Sequence, residues 1–385
     1  MQPWQIVLGI IVGLIILTIL VVLHELGHAL TAIHNGVEVV EFGIGFPPLA
    51  KVLGHVGKTK VTLNWLPLGG FCQMKGESDN DKHKGSYGAA SLWVKAKILL
   101  AGVTMNFVTA CIIFAILALF GMPKIMTNQF AIESDNNGTK GIAAVYDVVK
   151  GSAAKKAGLK KGDEFVSING QNIEMSSEVP ALTKKYAGQK VTIVVRRKGK
   201  QKTLQATLPT KDNGTGILGV STGQKQSGTI KATWSAPLVG IVDACQFFWL
   251  TLKSLVMLVV NIVVGAVGIF TGSPTARREL KTASDSVSGP VGILGYIFPS
   301  ALAGGPLTLL YISGVIALSL AAMNLLPIPG LDGGRLYLTL WYHARHKTLT
   351  KEREQEVVGR GMTFLFGLII VITVLDIIRV FITRR

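Results

Sequence analysis

Hydrophobic positions in this chain fall into long unbroken runs, separated by stretches in which apolar and polar residues alternate. The first run covers residues 4–33, and residues 6–23 carry no charge. About 20 apolar residues at ~1.5 Å each cross the hydrocarbon core of a bilayer. Further runs over 93–120, 307–326 and 363–378 meet the same requirement closely enough to predict four spanning helices. Between the first two runs the pattern changes to alternation. Residues 60–66 and 71–74 flank Pro67-Leu68-Gly69-Gly70, which predicts a β-hairpin. Residues 121–236 are polar, Lys-rich and strand-like, with short alternating segments at 165–168, 191–196 and 203–208.

Residues 237–270 are apolar too, but Asp243, Gln246, Lys253, Ser254 and Asn261 gather near one helical stripe. That pattern predicts an amphipathic helix lying at the interface or lining a wet cavity. The expected organisation has four parts. Residues 1–120 hold two transmembrane helices and the hairpin, and 121–230 form an extracytoplasmic domain. Residues 231–285 are a membrane-associated amphipathic region, and 286–385 hold the last two transmembrane helices.

Composition agrees with this class. Of 385 residues, 49% are hydrophobic, and 39 basic against 22 acidic residues leave a net charge of +17. Lysine-rich surfaces beside anionic membrane lipid account for that charge, and no nucleic-acid motif accompanies it. The first basic residue is Lys51, so the opening run lacks the basic start of a signal peptide and is expected to be retained. Cys72, Cys111 and Cys245 are far apart and form neither a disulfide framework nor a CxxC pair.

Chemistry enters at the end of the first run, in His24-Glu25-Leu26-Gly27-His28. On a helix His24 and His28 share a face one turn apart, so two imidazoles can grip one metal ion, and the adjacent Glu25 is placed as general base. Ionisable residues inside a span are costly, and three in one turn point to function. Basic residues follow the first run (Lys51, Lys58, Lys60) and none precede it. The positive-inside tendency therefore puts the N-terminus outside, with His24, about 30 Å from Trp4, near the cytoplasmic face.

A catalytic zinc takes three protein ligands and keeps a fourth position open. Asp332 is the expected third ligand. It follows Asn324-Leu325-Leu326-Pro327-Ile328-Pro329-Gly330-Leu331, where prolines and a glycine break the helix at a membrane boundary. For Asp332 to reach the cytoplasmic side, 237–270 must make no net crossing, and at about 20 residues per span it is too short to cross twice. In the second run Gly102 and Asn106 lie at i, i+4. The glycine allows close helix approach, and Asn106 is placed to hydrogen-bond a substrate backbone beside the metal. The hairpin around Gly69 and Gly70 reads either as a small structural sheet or as an edge that pairs with an extended substrate.

Several motifs together carry a resemblance. Ser152-Ala153-Ala154-Lys155-Lys156-Ala157-Gly158-Leu159-Lys160-Lys161-Gly162-Asp163, followed by a strand, resembles a PDZ domain. Ile217-Leu218-Gly219-Val220 resembles its carboxylate-binding loop, placed at the end of the module as in permuted forms. With His24-Glu25-x-x-His28, Gly102-x-x-x-Asn106 and Asn324-x-x-Pro327-x-Pro329-x-Leu331-Asp332-Gly333, essentially the whole chain resembles the site-2 proteases. The resemblance is closest to the bacterial branch that cleaves anti-sigma factors, with one PDZ domain here.

The resemblance implies a multi-pass α-helical membrane protein of the bacterial cytoplasmic (inner) membrane. It would have four spanning helices, a cytoplasmic-side membrane-associated β-hairpin and one extracytoplasmic PDZ-like α+β domain. It implies one catalytic Zn2+ on His24, His28 and Asp332, Glu25 as base and Asn324 on the substrate backbone. Gly69, Gly70 and Phe71 would lie in the membrane-facing hairpin beside the site. The implied partners are membrane lipid, a single-pass membrane protein substrate such as an anti-sigma factor or signal-peptide remnant, and an upstream site-1-type protease. Two rival readings are a catalytically silent PDZ scaffold with a closed structural zinc site, and a metal or proton transporter. The transporter predicts paired broken helices in two halves.

Overall fold

The computed structural model describes residues 2–77, 81–211, 216–270, 289–347 and 349–382. The chain divides into two compact units, Met1–Ile113 with Ala244–Arg385, and Phe114–Asp243. Five of the described helices are long and apolar enough to cross a membrane.

In the first unit α1 (Pro3–His34) begins at Pro3, which has no amide hydrogen to lose, and Gln2 and Gln5 satisfy each other's free backbone groups. After α1 the chain turns through Gly36 into β1 (Val39–Val56) and β2 (Thr59–Met74). This hairpin folds back on itself. Ile44 pairs with both Gly70 and Leu63, while Lys51 pairs with Leu63, so the two long strands act as four short ones, with 41–44 between 60–63 and 70–73. Its root is anchored by a core of Ala29, Ala32, Val39, Met74, Tyr87 and Ile98.

The returning part of β2 runs along α1. Thr18 Oγ1 lies 2.8 Å from the Pro67 carbonyl, Gly69 faces Val21, and Gly70 faces Val22 and Glu25. Residues 67–72 are thereby laid as extended chain beside the His-Glu-x-x-His turn.

α2 (Leu92–Phe120) crosses α1 where Gly27 meets the Ala101 carbonyl; a Cβ on Gly27 would stand 2.5 Å from that oxygen. α5 (Ala236–Phe270) is a single continuous helix. Phe248 packs edge-on against Phe107 at 5.5 Å between centroids, and Phe247 against Tyr311 at 6.0 Å. By length and composition its stretch Ala236–Gly265 stands with the four expected spans. Residues 271–285 of the expected amphipathic region lie outside the described residues.

The short apolar helix α6 (Pro290–Ala303) packs on the start of α1, with Pro299 against Gly9 and Phe298 against Gly13. Next come α7 (Pro306–Leu325), a break at 326–331, α8 (Asp332–Ala344) and α9 (Lys351–Ile382). α6 meets α1 at Gly9 and Gly13, and Asp332 meets it at His24, so α7 carries the chain in the same direction as α1.

The second unit is built on a sheet in the order β8–β7–β5–β4–β9, with a short β6 on β5. Its strands are β4 (Ile142–Val148), β5 (Glu164–Ile168), β6 (Gln171–Asn172), β7 (Lys190–Arg197), β8 (Lys200–Thr207) and β9 (Val220–Gln226). The helices α3 (Ala153–Ala157) and α4 (Glu178–Lys185) pack over a core that includes Val145, Leu159, Phe165, Ile193 and Leu218. Ser152 caps α3 by accepting from Lys155 N–H, and Gly158 ends it in the left-handed conformation. Before β4, β3 (Met122–Pro123) pairs with β10 (Thr229–Ile230). Asp243 accepts the Phe130 N–H at 3.0 Å and lies 3.4 Å from the Gln129 amide. That aspartate is spent on fastening the start of α5 within its own unit.

Candidate functional site

The helical register of α1 puts His24 and His28 on one face, and both are buried. The rings meet edge-on, 4.8 Å between centroids, with their Nε2 atoms 3.1 Å apart. Two contacts aim them. His28 Nδ1 donates to the Ile98 carbonyl at 2.7 Å, which leaves Nε2 free toward the site. His24 Nδ1 lies 3.2 Å from the Asn106 side-chain amide on α2.

The third side chain arrives from far along the chain. Leu325 ends α7, and Pro327 and Pro329 prevent the helix from continuing. The chain turns and α8 restarts at Asp332. Gly333 makes this turn possible, because a Cβ there would stand 2.4 Å from the Leu326 carbonyl. Asp332 Oδ2 then lies 2.8 Å from His24 Nε2 and 3.2 Å from His28 Nε2.

These atoms fit a metal ion. Three ligand atoms held tetrahedrally at about 2.0–2.1 Å from zinc would be about 3.3–3.4 Å apart. The separations of 2.8, 3.1 and 3.2 Å are close to that triangle. Two imidazoles and one carboxylate are a catalytic donor set, and among the described residues no fourth metal-binding side chain joins them. A structural, closed site would need one.

The surroundings are adapted to the same end. Gly102 faces both Nε2 atoms, and a Cβ there would come within 2.5 Å of each. Asn106 is fully buried and its Oδ1 makes no hydrogen bond. A histidine bound to metal through Nε2 carries its proton on Nδ1 and needs an acceptor there. A half-turn of the Asn106 amide supplies that acceptor and satisfies the orphaned oxygen. The structure thus places Asn106 behind His24.

Glu25 points to the β2 side of α1. Its carboxylate lies near the His24, His28 and Asp332 side chains and interacts electrostatically with them. Gly70 lies against its side chain, and Gly69 and Phe71 flank Gly70 on the same extended run. Asn324 sits near the end of α7, half-buried, and its amide makes no hydrogen bond among the described residues. Ile217, Leu218, Gly219 and Val220 are in the other unit. They line a groove of about 160 Å³ between β9 and α4, with Val179 and Thr183 opposite. Arg335, one turn beyond Asp332, was not singled out by sequence pattern; an arginine at a membrane boundary has no distinguishing signal.

A helix-borne His-Glu-x-x-His completed by a distant aspartate defines the class: this is a zinc metalloprotease with its metal-binding turn on an apolar helix. The chain belongs to peptidase family M50, the site-2 proteases, whose profile matches residues 12–368. A protein of Clostridium perfringens whose name includes zinc metalloprotease is 32% identical over 372 residues, covering 96% of this chain and 98% of its own. A similarly named protein of Clostridium acetobutylicum is 28% identical over 375 residues, with 96% and 97% covered. Zinc metalloprotease RasP of Shouchella clausii is 28% identical over 302 residues, 77% of this chain and 62% of its own. With its long apolar helices, this family member is a membrane protein, and Zn2+ is its cofactor.

Proposed function

We propose that this metalloprotease hydrolyses peptide bonds within the transmembrane segments of single-pass membrane proteins. One observation carries the reading. His24, Glu25 and His28 sit on an apolar helix, Asp332 closes the triangle from α8, and extended chain, residues 67–72, is laid directly beside them. A peptide bond in a helix is shielded by its own hydrogen-bond ladder, so a transmembrane substrate must unwind before it is cut. Strand pairing at the Gly69–Gly70–Phe71 run offers the unwound segment replacement backbone partners.

His24, His28 and Asp332 would hold the zinc ion. When bound, zinc supplies Lewis-acid polarisation of the scissile carbonyl and acidifies water toward a pKa of about 7. Glu25 accepts the proton of the attacking water on its carboxylate and delivers it to the leaving amine nitrogen. Asn106 keeps His24 in the tautomer that presents Nε2, and the Ile98 carbonyl does the same for His28. Asn324, with its amide uncommitted, hydrogen-bonds the substrate backbone.

The proposed setting is the bacterial cytoplasmic membrane. α1, α2, α7 and α9 cross, and α5 enters beside α2 and α7. The chain returns through α6, so α5 and α6 together make no net crossing. The parallel course of α1 and α7 supports this even count. The active site then faces the cytoplasmic side, and the sheet domain is an extracytoplasmic PDZ module. Its β9–α4 groove either takes a peptide end or excludes bulky ectodomains. An upstream site-1-type protease would shorten the substrate first, anti-sigma factors and signal-peptide remnants being the expected kinds.

The test is cleavage of a single-pass peptide reconstituted with the protein in lipid nanodiscs, with the products mapped by mass spectrometry. The proposal expects cuts within the hydrophobic segment, faster when a helix-breaking residue is placed there. Cuts confined to the water-exposed flanks would overturn it.

A further inference from the structure

The turn that presents Asp332 is held from outside the metal triangle, and most of the hold passes through one residue. Arg335 follows Asp332 by one helical turn on α8. Its Nε donates to Glu354 Oε1 of α9 at 2.8 Å, and Nη2 donates to the Glu77 carbonyl at 2.5 Å. Nη1 stands 3.8 Å from the Glu77 carboxylate, and the guanidinium carbon lies 4.7 Å from the centre of the Tyr87 ring.

Each partner is itself fixed. Glu77 Oε1 accepts the Met74 N–H at 2.9 Å, closing the end of β2, and Tyr87 is 1% exposed. α9 touches the same turn a second time, where Gly361 packs on Pro329 and Met362 on Gly330. These elements surround a cavity of about 370 Å³ whose wall includes Glu77, Asp332, Arg335, Lys351 and Glu354.

A planar guanidinium suits this place. It donates in two directions while stacking on a ring, which an ammonium cannot do. The Asp332 carboxylate must meet two imidazoles that are already fixed in α1, so the orientation of its helical turn decides whether the triangle closes. We propose that Arg335 is a positioning residue for the metal. It sets the first turn of α8, and through Glu354 it makes metal affinity depend on the seating of α9. The proposal rests on the reading of His24, His28 and Asp332 as zinc ligands, and neither Arg335 nor Glu354 is itself a ligand.

The experiment compares purified full-length wild type, Arg335→Ala, Arg335→Lys, Glu354→Gln and Arg360→Ala. Arg360 pairs with Glu356 on the exposed side of α9 and serves as control. Zinc affinity is measured by competition with a chelator, and the visible bands of the cobalt(II)-substituted proteins report the ligand field. Outer partners of metal ligands typically contribute 10- to 100-fold in affinity. Arg335→Ala is expected to weaken zinc binding by about that factor and shift the cobalt bands. Arg335→Lys should rescue only part of the loss, Glu354→Gln should show a smaller shift of the same kind, and Arg360→Ala should match wild type.

Wild-type affinity and unshifted bands in both Arg335→Ala and Glu354→Gln would overturn the proposal. If Arg335→Ala does not fold, Glu354→Gln, which leaves the arginine on its ring, decides alone. A wild type that binds no zinc would overturn the metal reading itself, and the proposal with it.

Discussion

Gly102 occupies the tightest position in the site. In the interior of a helix, alanine is ordinarily better than glycine by about 0.5–1 kcal/mol. Here a Cβ would lie 2.5 Å from Nε2 of both His24 and His28, so the local gain is set against the geometry of the two imidazoles. Gly102→Ala is expected to yield folded protein whose zinc affinity falls at least about tenfold, as for other changes next to metal ligands. Elemental analysis after dialysis checks it, and wild-type zinc content would contradict it. Residues differ in how far sequence discloses them. His24, Glu25 and His28 were legible because helical spacing alone joins them. Asp332 was legible because the broken helix and the required direction of α7 place it. Asn106 was visible as a polar residue in an apolar run, but spacing gives no partner, and the structure turns it to His24. Arg335 was illegible, since its role depends on Glu77, Tyr87 and Glu354 meeting in space.

Among the elements, the β-sheet domain carries a charge pair that sets its acid limit. Burial pushes the Asp163 carboxyl up, but Arg197, which donates from Nε and Nη2 at 2.5 Å each, and the Lys160 N–H together hold it below its ordinary value. A carboxyl depressed on folding contributes stability that is present above its unfolded pKa of about 3.9. That contribution is lost as pH falls through the lower folded value. Hydrogen exchange of β5 and β7 in the full-length protein, corrected for intrinsic rates, should show protection falling below about pH 4. Asp163→Asn should flatten that dependence and cost about 1–3 kcal/mol at neutral pH by leaving Arg197 short of a partner. Unchanged protection from pH 7 to pH 3 in wild type would contradict this. The strands of this domain were readable from alternation. The hairpin was not placed correctly by its Pro67-Leu68-Gly69-Gly70 signal: those residues lie inside β2, and β1 turns into β2 at Gly57 and Lys58, with 60–63 and 70–73 on either side of 41–44. The doubling of β1 and β2 into four short strands was not readable either, because register follows from packing on α1 and α2. Nor did the pattern show that α5 packs through Phe247 and Phe248 between two other helices, since a polar stripe marks a face without naming its neighbour.

At the scale of the whole molecule, close helix approach organises the first unit. Gly9 and Gly13, four apart on α1, receive α6, and Gly27 receives α2. The Gly-x-x-x-Gly spacing was present in the sequence, but its partner is a short helix almost three hundred residues away. The parallel course of α1 and α7 requires that the chain cross the membrane an odd number of times between the ends of α1 and α6, α2 once and α5 with α6 twice. In a cysteine-free background, Ala303→Cys and Lys198→Cys should be labelled by an impermeant reagent from one side, and Lys58→Cys and His346→Cys from the other. Labelling of Ala303→Cys and Lys58→Cys from the same side would contradict the topology.

All of this converges on one claim, that Glu25 acts as base beside a zinc ion held by His24, His28 and Asp332 within an apolar helix. The most direct measurement is made on purified Glu25→Gln, with zinc content and cleavage of a transmembrane peptide determined on the same preparation. Because Glu25 is not among the three ligand side chains, the account predicts full zinc occupancy with cleavage abolished. Cleavage at the wild-type rate, whatever the zinc content, would contradict it.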